Sequence, residues 1–238
     1  MKILALDTSG LVASVAVAED ETLLAEYTVN YKKTHSQTLL PMLDEVTRMI
    51  DLDLKSVDAI AVAGGPGSFT GLRIGSATAK GLGLALDLPL ISVPTVDALA
   101  WNLYGCQDLI CPMMDARRDQ VYTGIYTFEA GMFLTKRQQE PMAVADLARI
   151  LNEMGRRVVF LGDGVPVYRE QILRQLTVPA QFAPAHLNRQ RASAVAVLAM
   201  QYYREGKIQT ASEHRPEYLR LSQAERERAE KLKKEGTS

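Results

Sequence analysis

The turn that follows the first apolar run carries residues suited to phosphate chemistry. Asp7 ends that run and is followed by Thr8 and Ser9, so a carboxylate and two hydroxyls face one turn. Such a set can position a magnesium phosphate. The same residues also form an ordinary hairpin turn, and the sequence leaves both interpretations open.

Two turns in the second half of the chain repeat this arrangement. Residues 115–118, Asp-Ala-Arg-Arg, and residues 162–164, Gly-Asp-Gly, each follow an apolar run. We expect Arg117 and Arg118 either to bind phosphate or to pair with two nearby carboxylates, Asp119 and Asp163. Each of these turns alone is a weak signal.

A glycine-rich segment is the third candidate. Residues 62–75 read VAGGPGSFTGLRIG, and the glycines within it are Gly64, Gly65, Gly67, Gly71 and Gly75. A dinucleotide fingerprint fails because Thr70 stands where its third glycine belongs, a Walker A loop lacks its lysine, and Ser68 is not flanked as in a nucleophile elbow. What remains is a turn before a helix capped by Ser68 or Thr70. Its amides could hold an anion, or its glycines could serve only a tight turn.

Histidines and cysteines show no ligand or catalytic spacing. His35, His186 and His214 are far apart in the sequence, so no His-x-x-x-His or His-Glu-x-x-His pair exists and we expect no metal. Cys106 and Cys111 fit neither a redox pair nor a zinc knuckle, so we expect two free thiols.

The elements around these turns form two similar units. In the first, apolar patterns predict three antiparallel strands, a helix, a strand, a helix, a strand and a helix, near residues 2–9, 11–20, 22–31, 36–50, 57–63, 70–86, 89–93 and from 95. Ser36 or Thr38 is the expected cap of the first helix, with Pro41 in or near its first turn. The second unit contains strands near 109–116, 119–128, 132–136 and 157–162 and helices near 144–154, 163–176 and 191–206. The sequence thus predicts an α/β fold of two mixed sheets covered by helices.

The helix after the glycine segment carries small residues on one face. Gly71, Gly75, Ala79 and Gly83 recur every four residues, although interior glycines cost a helix about 1 kcal/mol each. This small-residue seam indicates close approach of another backbone. That backbone belongs either to the chain's own sheet or to a second protein.

Composition limits the partners. The formal net charge is −1, so no overall basic field attracts nucleic acid; the local candidates are Arg156–Arg157, Lys32–Lys33 and the charged tail at 222–238. The apolar start is too short for a signal peptide, and no run is long enough to span a membrane. We expect a cytoplasmic protein without membrane contact.

Six segments together resemble one family. The segments LALDTS, GGPGSFTGLRIG, AKGL, DARRDQVY, LGDG and PEYLR resemble the bacterial TsaB (YeaZ) family, over about residues 1–221. The resemblance implies a duplicated actin-like, sugar-kinase-like (ASKHA, ribonuclease H-like) fold. This agrees with the two units, which the restart of the pattern after Gly105 places at 1–105 and 106–221; the tail at 222–238 lies outside the match.

The resemblance also implies a function. Members act in threonylcarbamoylation of tRNA adenosine next to the anticodon, as non-catalytic partners that activate the catalytic paralogue TsaD, assisted by the ATPase TsaE. We therefore expect contact with tRNA only through the complex, and a homodimer when TsaD is absent. The chain itself requires no cofactor, although ATP or ADP can bind in the complex.

The resemblance assigns residues to these roles. The helices at 36–50 and 70–86 would dock TsaD, with the interface residues Leu39, Met42, Leu43, Val46, Gly71, Leu72, Gly75, Ala79, Leu82 and Gly83. A vestigial nucleotide site would comprise Asp7, Thr8, Ser9, Gly64, Gly65, Gly67, Gly162 and Gly164. The catalytic paralogue carries a metal-binding His-x-x-x-His where this chain has Thr95 and Leu99, which cannot replace two imidazoles. The alternative is an active ATPase or small-molecule kinase of the same fold.

Overall fold

The structure, a computed structural model, describes residues 1–31 and 33–219. Lys32, Arg220 at the end of PEYLR, and the tail predicted at 222–238 lie outside the described residues. The division of the chain at residue 105 stays a prediction.

The first sheet combines a meander with two crossovers. Its strands are β1 Lys2–Asp7, β2 Ala13–Glu19, β3 Thr22–Val29, β4 Ala59–Gly65 and β5 Leu90–Pro94. The order is β3-β2-β1-β4-β5, with β1 antiparallel to β2 and parallel to β4. Short turns join β1 to β3, whereas helices carry the chain to β4 and β5, and this explains the change of direction.

The second sheet repeats the plan. Its strands are β6 Leu109–Pro112, β7 Met114–Asp115, β8 Gln120–Glu129, β9 Met132–Ala143, β10 Val158–Leu161 and β11 Ala180–Phe182. β8 pairs antiparallel with β6, β7 and β9, and β10 pairs parallel with β6 and β11. The two sheets therefore share one topology, which confirms the duplicated fold class.

Within residues 1–31 and 33–219, six α-helices cover the sheets. They are α1 His35–Met49, α2 Phe69–Leu86, α3 Thr95–Trp101, α4 Val144–Met154, α5 Val165–Gln175 and α6 Ala192–Arg204. α1 and α2 bury their apolar sides on one face of the first sheet, and α4 and α5 do the same on the second. The third core cluster lies between the sheets and includes α3 and α6.

Helix α6 returns from the second sheet to pack on the first. It follows the second sheet in the chain but packs against β1 and β2 of the first. Its start is fixed there, since Ser14 Oγ accepts from the Ala192 amide at 2.9 Å and Arg191 pairs with the largely buried Glu26. The C-terminal strap, residues 205–219, continues over the first sheet, where Gln209 pairs with Leu90.

Three local expectations needed correction. The cap of α1 is Thr34, not Ser36 or Thr38, so Pro41 lies in the second turn of the helix. Strand β9 runs to Ala143, beyond the predicted end at residue 136. The sequence did not indicate this extension because the residues of this edge strand are mostly polar and exposed, so they show no alternating apolar pattern. Strand β11 has three residues, too few for a periodic signal.

Candidate functional site

The glycine segment packs against the β1–β2 turn. The Ser68 amide donates to Ser9 O at 2.7 Å, and Thr8 Oγ1 donates to Gly71 O at 2.7 Å. A Cβ at Gly67 or Gly71 would clash with the backbone carbonyls of the same turn. The glycines therefore permit contact between two loops of the chain.

The C-terminal strap covers the same segment from another side. The Glu217 amide donates to Gly64 O at 2.7 Å, and a Cβ at Gly65 would clash with the Glu217 carbonyl. Tyr218 packs on the Phe69 ring at 4.8 Å between centroids. The strap thus packs directly on the glycine segment. Ser68 caps α2 as expected, with its Oγ accepting from the Gly71 amide at 3.3 Å.

Asp7 is buried at the centre of the β1–β2 turn. Its Oδ1 accepts from Ser9 N at 2.9 Å and from Ser9 Oγ at 2.6 Å. Burial raises the pKa of the Asp7 carboxyl to about 6, against the opposing effect of the Ser9 hydrogen bonds and the charge of His35. The carboxylate holds the turn closed.

Unsatisfied polar atoms lie beside that turn. His35 Nε2 bonds Gly10 O at 2.9 Å, which ties the start of α1 to the turn, while its Nδ1 is buried without a partner among the described residues. The Gln190 side chain packs against Gly10, and both of its amide atoms are likewise buried and unpartnered. Neither residue was expected to belong to a site.

The turns of the second unit also pack on their own chain. A Cβ at Gly162 or Gly164 would clash with the Met113 carbonyl. The Asp115 amide donates to Asp163 Oδ1 at 3.1 Å, and Arg117 pairs with Asp115 at 3.2 Å. The expected partners of Arg117, Asp119 and Asp163, are therefore corrected to Asp115.

One loop joins the two sets of predicted nucleotide residues. Residues 188–190 contact Gly10 through Gln190 and Gly162 through Arg189, whose Nη1 donates to Gly162 O at 3.0 Å. This loop thus links the β1–β2 turn, which contains Asp7, Thr8 and Ser9 and contacts Gly67, to the turn that contains Gly162 and Gly164. Gly64 and Gly65 lie instead against β5 and the C-terminal strap. Nucleotide binding by these residues stays a prediction.

The small-residue seam faces inward. Ala79 is fully buried, Gly75 lies over Thr8, and a Cβ at Gly83 would clash with Leu90 of β5. Leu82 is half-buried; the other predicted interface residues are buried, namely Leu39, Met42, Leu43, Val46, Gly71, Leu72, Gly75, Ala79 and Gly83. In the free chain the seam therefore packs against the chain's own elements, while the assignment of these residues to a partner interface stays a prediction.

The opposite face of α2 is apolar apart from the exposed Arg73, whose guanidinium lies over the Phe69 ring. Ala77, Gly81, Leu84 and Ala85 are exposed, and Leu84 keeps 71% of its surface accessible. A Cβ at Gly81 would meet no atom within 4 Å. Leu40 of the neighbouring α1 is 57% exposed. We call Leu40, Ala77, Gly81, Leu84 and Ala85 the outer helix face. The lack of a polar side on α2 is the sequence signal that could have identified it.

Thr95 and Leu99 are structural residues. Thr95 Oγ1 accepts from the Gly65 amide at 3.2 Å, and both side chains are buried in the core between the sheets. Over residues 1–31 and 33–219, no group of three histidine, cysteine or acidic side chains is placed to hold a metal ion. Within the same ranges, no helix is both long and apolar enough to cross a membrane.

The cysteines are free, as predicted. Cys106 is half-buried and Cys111 is buried, and burial raises the pKa of the Cys111 thiol to about 12.

The basic patch at Arg156–Arg157 lies next to carboxylates, since Arg156 approaches Glu129 at 3.8 Å and Arg157 approaches Asp108 at 3.9 Å. Of the other basic candidates, Lys32 and the tail lie outside the described residues.

Comparison with known proteins gives one consistent result. A family model described as TsaD, tRNA N6-adenosine threonylcarbamoyltransferase, matches residues 22–228. The tRNA threonylcarbamoyladenosine biosynthesis protein TsaB of Bacillus subtilis is 35% identical over 94% of this chain and 96% of its own length. The Escherichia coli protein of the same name is 37% identical over 53% of this chain and 55% of its own.

Solved structures agree. YeaZ from Pseudomonas aeruginosa superimposes with a TM-score of 0.75 at 27% identity, covering 92% of this chain and 99% of that one. A second Pseudomonas aeruginosa structure, titled as an uncharacterized protein with similarity to peptidase YeaZ, gives 0.78 at 28% identity with the same coverage.

Proposed function

This chain belongs to the TsaB family, within the wider family whose model is described as TsaD, and from that premise we propose that it is a non-catalytic accessory subunit in the threonylcarbamoylation of tRNA adenosine. Its task is to bind and activate the catalytic subunit TsaD. The relatives on which the family assignment rests are named for tRNA threonylcarbamoyladenosine biosynthesis.

The outer helix face carries the docking proposal. Gly81 lies in the interior of an exposed helix, where glycine costs about 1 kcal/mol relative to alanine. Apart from its chain neighbours and the adjacent helix backbone, no atom of the described residues lies within 4 Å of a Cβ built there, so packing against other elements does not explain the glycine. Leu84, three residues along the same helix, adds exposed apolar surface, and Leu40 of α1 is exposed as well. A helix of TsaD that packs closely on α2 accounts for all three.

The non-catalytic role is supported by α3. The resemblance places the metal-binding histidines of TsaD at the positions of Thr95 and Leu99. Here both side chains are buried in the core, and the Thr95 hydroxyl is used by the Gly65 amide. Neither residue can supply a nitrogen ligand.

The remaining partners follow from the same face. In the absence of TsaD, two copies would pair through the outer helix face in an isologous dimer. TsaE and tRNA would join through TsaD. Any ATP or ADP would be held by the complex, since Glu217, Thr8 and Ser9 already pack against the glycines of this chain.

Co-purification tests the docking. Leu84→Glu places a charge on the outer helix face, and Val167→Glu is the matched control on α5, where Val167 is 58% exposed. We expect Leu84→Glu to lose TsaD in a pull-down and to abolish modified tRNA in a reconstituted assay, while Val167→Glu retains both. Equal recovery of TsaD with the two variants would contradict the docking face. Formation of modified tRNA by this chain without TsaD would contradict the non-catalytic role.

A further inference from the structure

One charged side chain stands on the otherwise apolar outer side of α2. Arg73 is exposed, and it lies four residues before Ala77 and eleven before Leu84. These spacings are close to one and three turns of an α-helix, so Arg73 shares the side of α2 that carries the outer helix face. The proposed function gives this arginine no role.

The Arg73 guanidinium is held in place by an aromatic ring. It lies 4.0 Å from the centroid of the Phe69 ring, which belongs to the first residue of α2. Tyr218 of the C-terminal strap packs on the same ring at 4.8 Å between centroids. An arginine held on an aromatic face loses little conformational freedom when its planar set of donors pairs with an acid. The ring therefore prepares the guanidinium for a planar anion.

The chain supplies no counter-charge to this guanidinium. Among residues 1–31 and 33–219, no carboxylate pairs with Arg73, and α2 contains no acidic residue. Lys80, the other cation of α2, donates to the His214 carbonyl at 3.3 Å. Arg48 of the neighbouring α1 pairs with Glu45 at 2.6 Å. Of these three cations, Arg73 is the one without an oxygen acceptor among the described residues.

The stability of α2 does not explain the position of Arg73. The first turn of the helix has no acidic residue, and the free amides at this end carry a partial positive charge. A guanidinium held over Phe69 adds a like charge to that end. An anion supplied from outside the chain would be attracted by both.

We propose that Arg73 forms an ion pair with a carboxylate of the protein that docks on the outer helix face. This inference rests on the proposed function, which identifies that protein as TsaD. A nucleic acid would need several cations along its phosphates, whereas Ala77, Gly81 and Leu84 beside Arg73 are apolar. The occupant is therefore an aspartate or glutamate side chain, which a guanidinium can bind through two parallel hydrogen bonds. Such a pair sets the register of the partner on α2.

Calorimetry with purified TsaD tests the ion pair in the full-length chain. Arg73→Gln removes the charge with little change in helix propensity. Arg169→Gln is the matched control, because Arg169 of α5 is also exposed and lies over Phe182 at the same 4.0 Å. We expect Arg73→Gln to weaken TsaD binding about tenfold or more and Arg169→Gln to leave it unchanged, with both variants melting like the parent.

Two readouts distinguish an ion pair from a general effect of changing the surface. The affinity of the parent for TsaD should fall as salt rises, and Arg73→Gln should lose part of this dependence. Arg73→Lys should recover only part of the affinity, because an ammonium group lacks the planar pair of donors. Unchanged affinity together with unchanged salt dependence in Arg73→Gln would overturn the proposal.

Phe69 is a positioning residue in this arrangement. Phe69→Leu removes the ring beneath the guanidinium and should weaken TsaD binding about two- to fivefold, the usual contribution of an exposed cation–π contact. Phe69→Tyr keeps the ring and should bind TsaD like the parent. Equal affinities of these two variants would contradict the positioning role.

The outcomes separate this inference from the function on which it rests. If the parent chain does not bind TsaD, the docking and the ion pair both fail. If Leu84→Glu loses TsaD while Arg73→Gln keeps the affinity of the parent, the docking stands and the ion pair is wrong. Loss of tRNA binding or of self-association in Arg73→Gln, with TsaD affinity unchanged, would assign the guanidinium to a phosphate or to a second copy and would also overturn the proposal.

Discussion

Gly81 offers a test in which stability and function move in opposite directions. It lies in the interior of α2, its φ lies outside the left-handed range, and an added Cβ meets no atom within 4 Å. Gly81→Ala should therefore stabilise the free chain by about 1 kcal/mol through helix propensity and the loss of backbone freedom in the unfolded state. For a chain of this length that gain corresponds to a rise in Tm of about 2–4 °C.

Gly75→Ala is the matched control on the buried face of the same helix. There the added Cβ would lie 2.5 Å from Thr8 Oγ1, the hydroxyl that donates to Gly71 O. Overpacking of this kind costs about 1–3 kcal/mol, which offsets or exceeds the gain of about 1 kcal/mol in helix propensity that Gly75→Ala shares with Gly81→Ala. Thermal and denaturant unfolding should consequently show a gain in stability for Gly81→Ala and no gain or a loss for Gly75→Ala.

Binding supplies the second half of the test. If a TsaD helix approaches the backbone at Gly81, the added methyl lowers TsaD affinity in the same variant whose Tm has risen. Titration calorimetry with purified TsaD measures this directly. A Gly81→Ala variant that is not stabilised would refute the helix argument, and one that binds TsaD as tightly as the parent would refute close approach at this position.

Two further predictions concern buried titratable groups. Burial raises the Asp7 pKa from 3.8 to about 6, so its ionisation disfavours folding: the penalty is absent where the carboxyl is protonated in both states and grows as pH rises from about 4 to above 6. Asp7→Asn, whose amide oxygen still accepts from Ser9, should raise stability at pH 7 by about 3 kcal/mol and leave it unchanged at pH 3, measured by urea unfolding; a loss at pH 7 would contradict this sign. In thiol titration with a chromogenic disulfide, Cys106 should react in the folded protein and Cys111 only after denaturation, since Cys111 is buried with a pKa of about 12. Reaction of both thiols at equal rates in the native protein would argue against the buried placement of Cys111.

Strand and helix positions followed from local patterns. The helix predicted at 144–154 matches α4, and the meander at the start of the chain matches β1 to β3. Such elements alternate or repeat apolar residues with a fixed period, and the period is a property of the chain itself. The topology of the second sheet, by contrast, depended on β9 and β11, whose exposed or very short segments carry no clear period.

The site shows where local reasoning ends. A close approach of another backbone could be predicted from the sequence alone. The prediction rests on the glycine spacing in residues 64–75 and on the small residues of α2. Which backbone approaches is a question of folding. The approaching backbone is that of Thr8, Ser9 and Glu217, and Glu217 is more than one hundred and forty residues away in the chain; from β5 the glycines meet the side chains of Leu90 and Ser92.

The sequence by itself determined the duplicated α/β plan, the family and the absence of paired histidines, because each of these is written in residue type and spacing. The tertiary structure alone decided which face of α2 is free, why the glycines are needed, and that Phe69 contacts both Arg73 and Tyr218. A helix with small residues on two faces can pack on either face, and the sequence does not distinguish them. The contact with the sheet determines which face is buried.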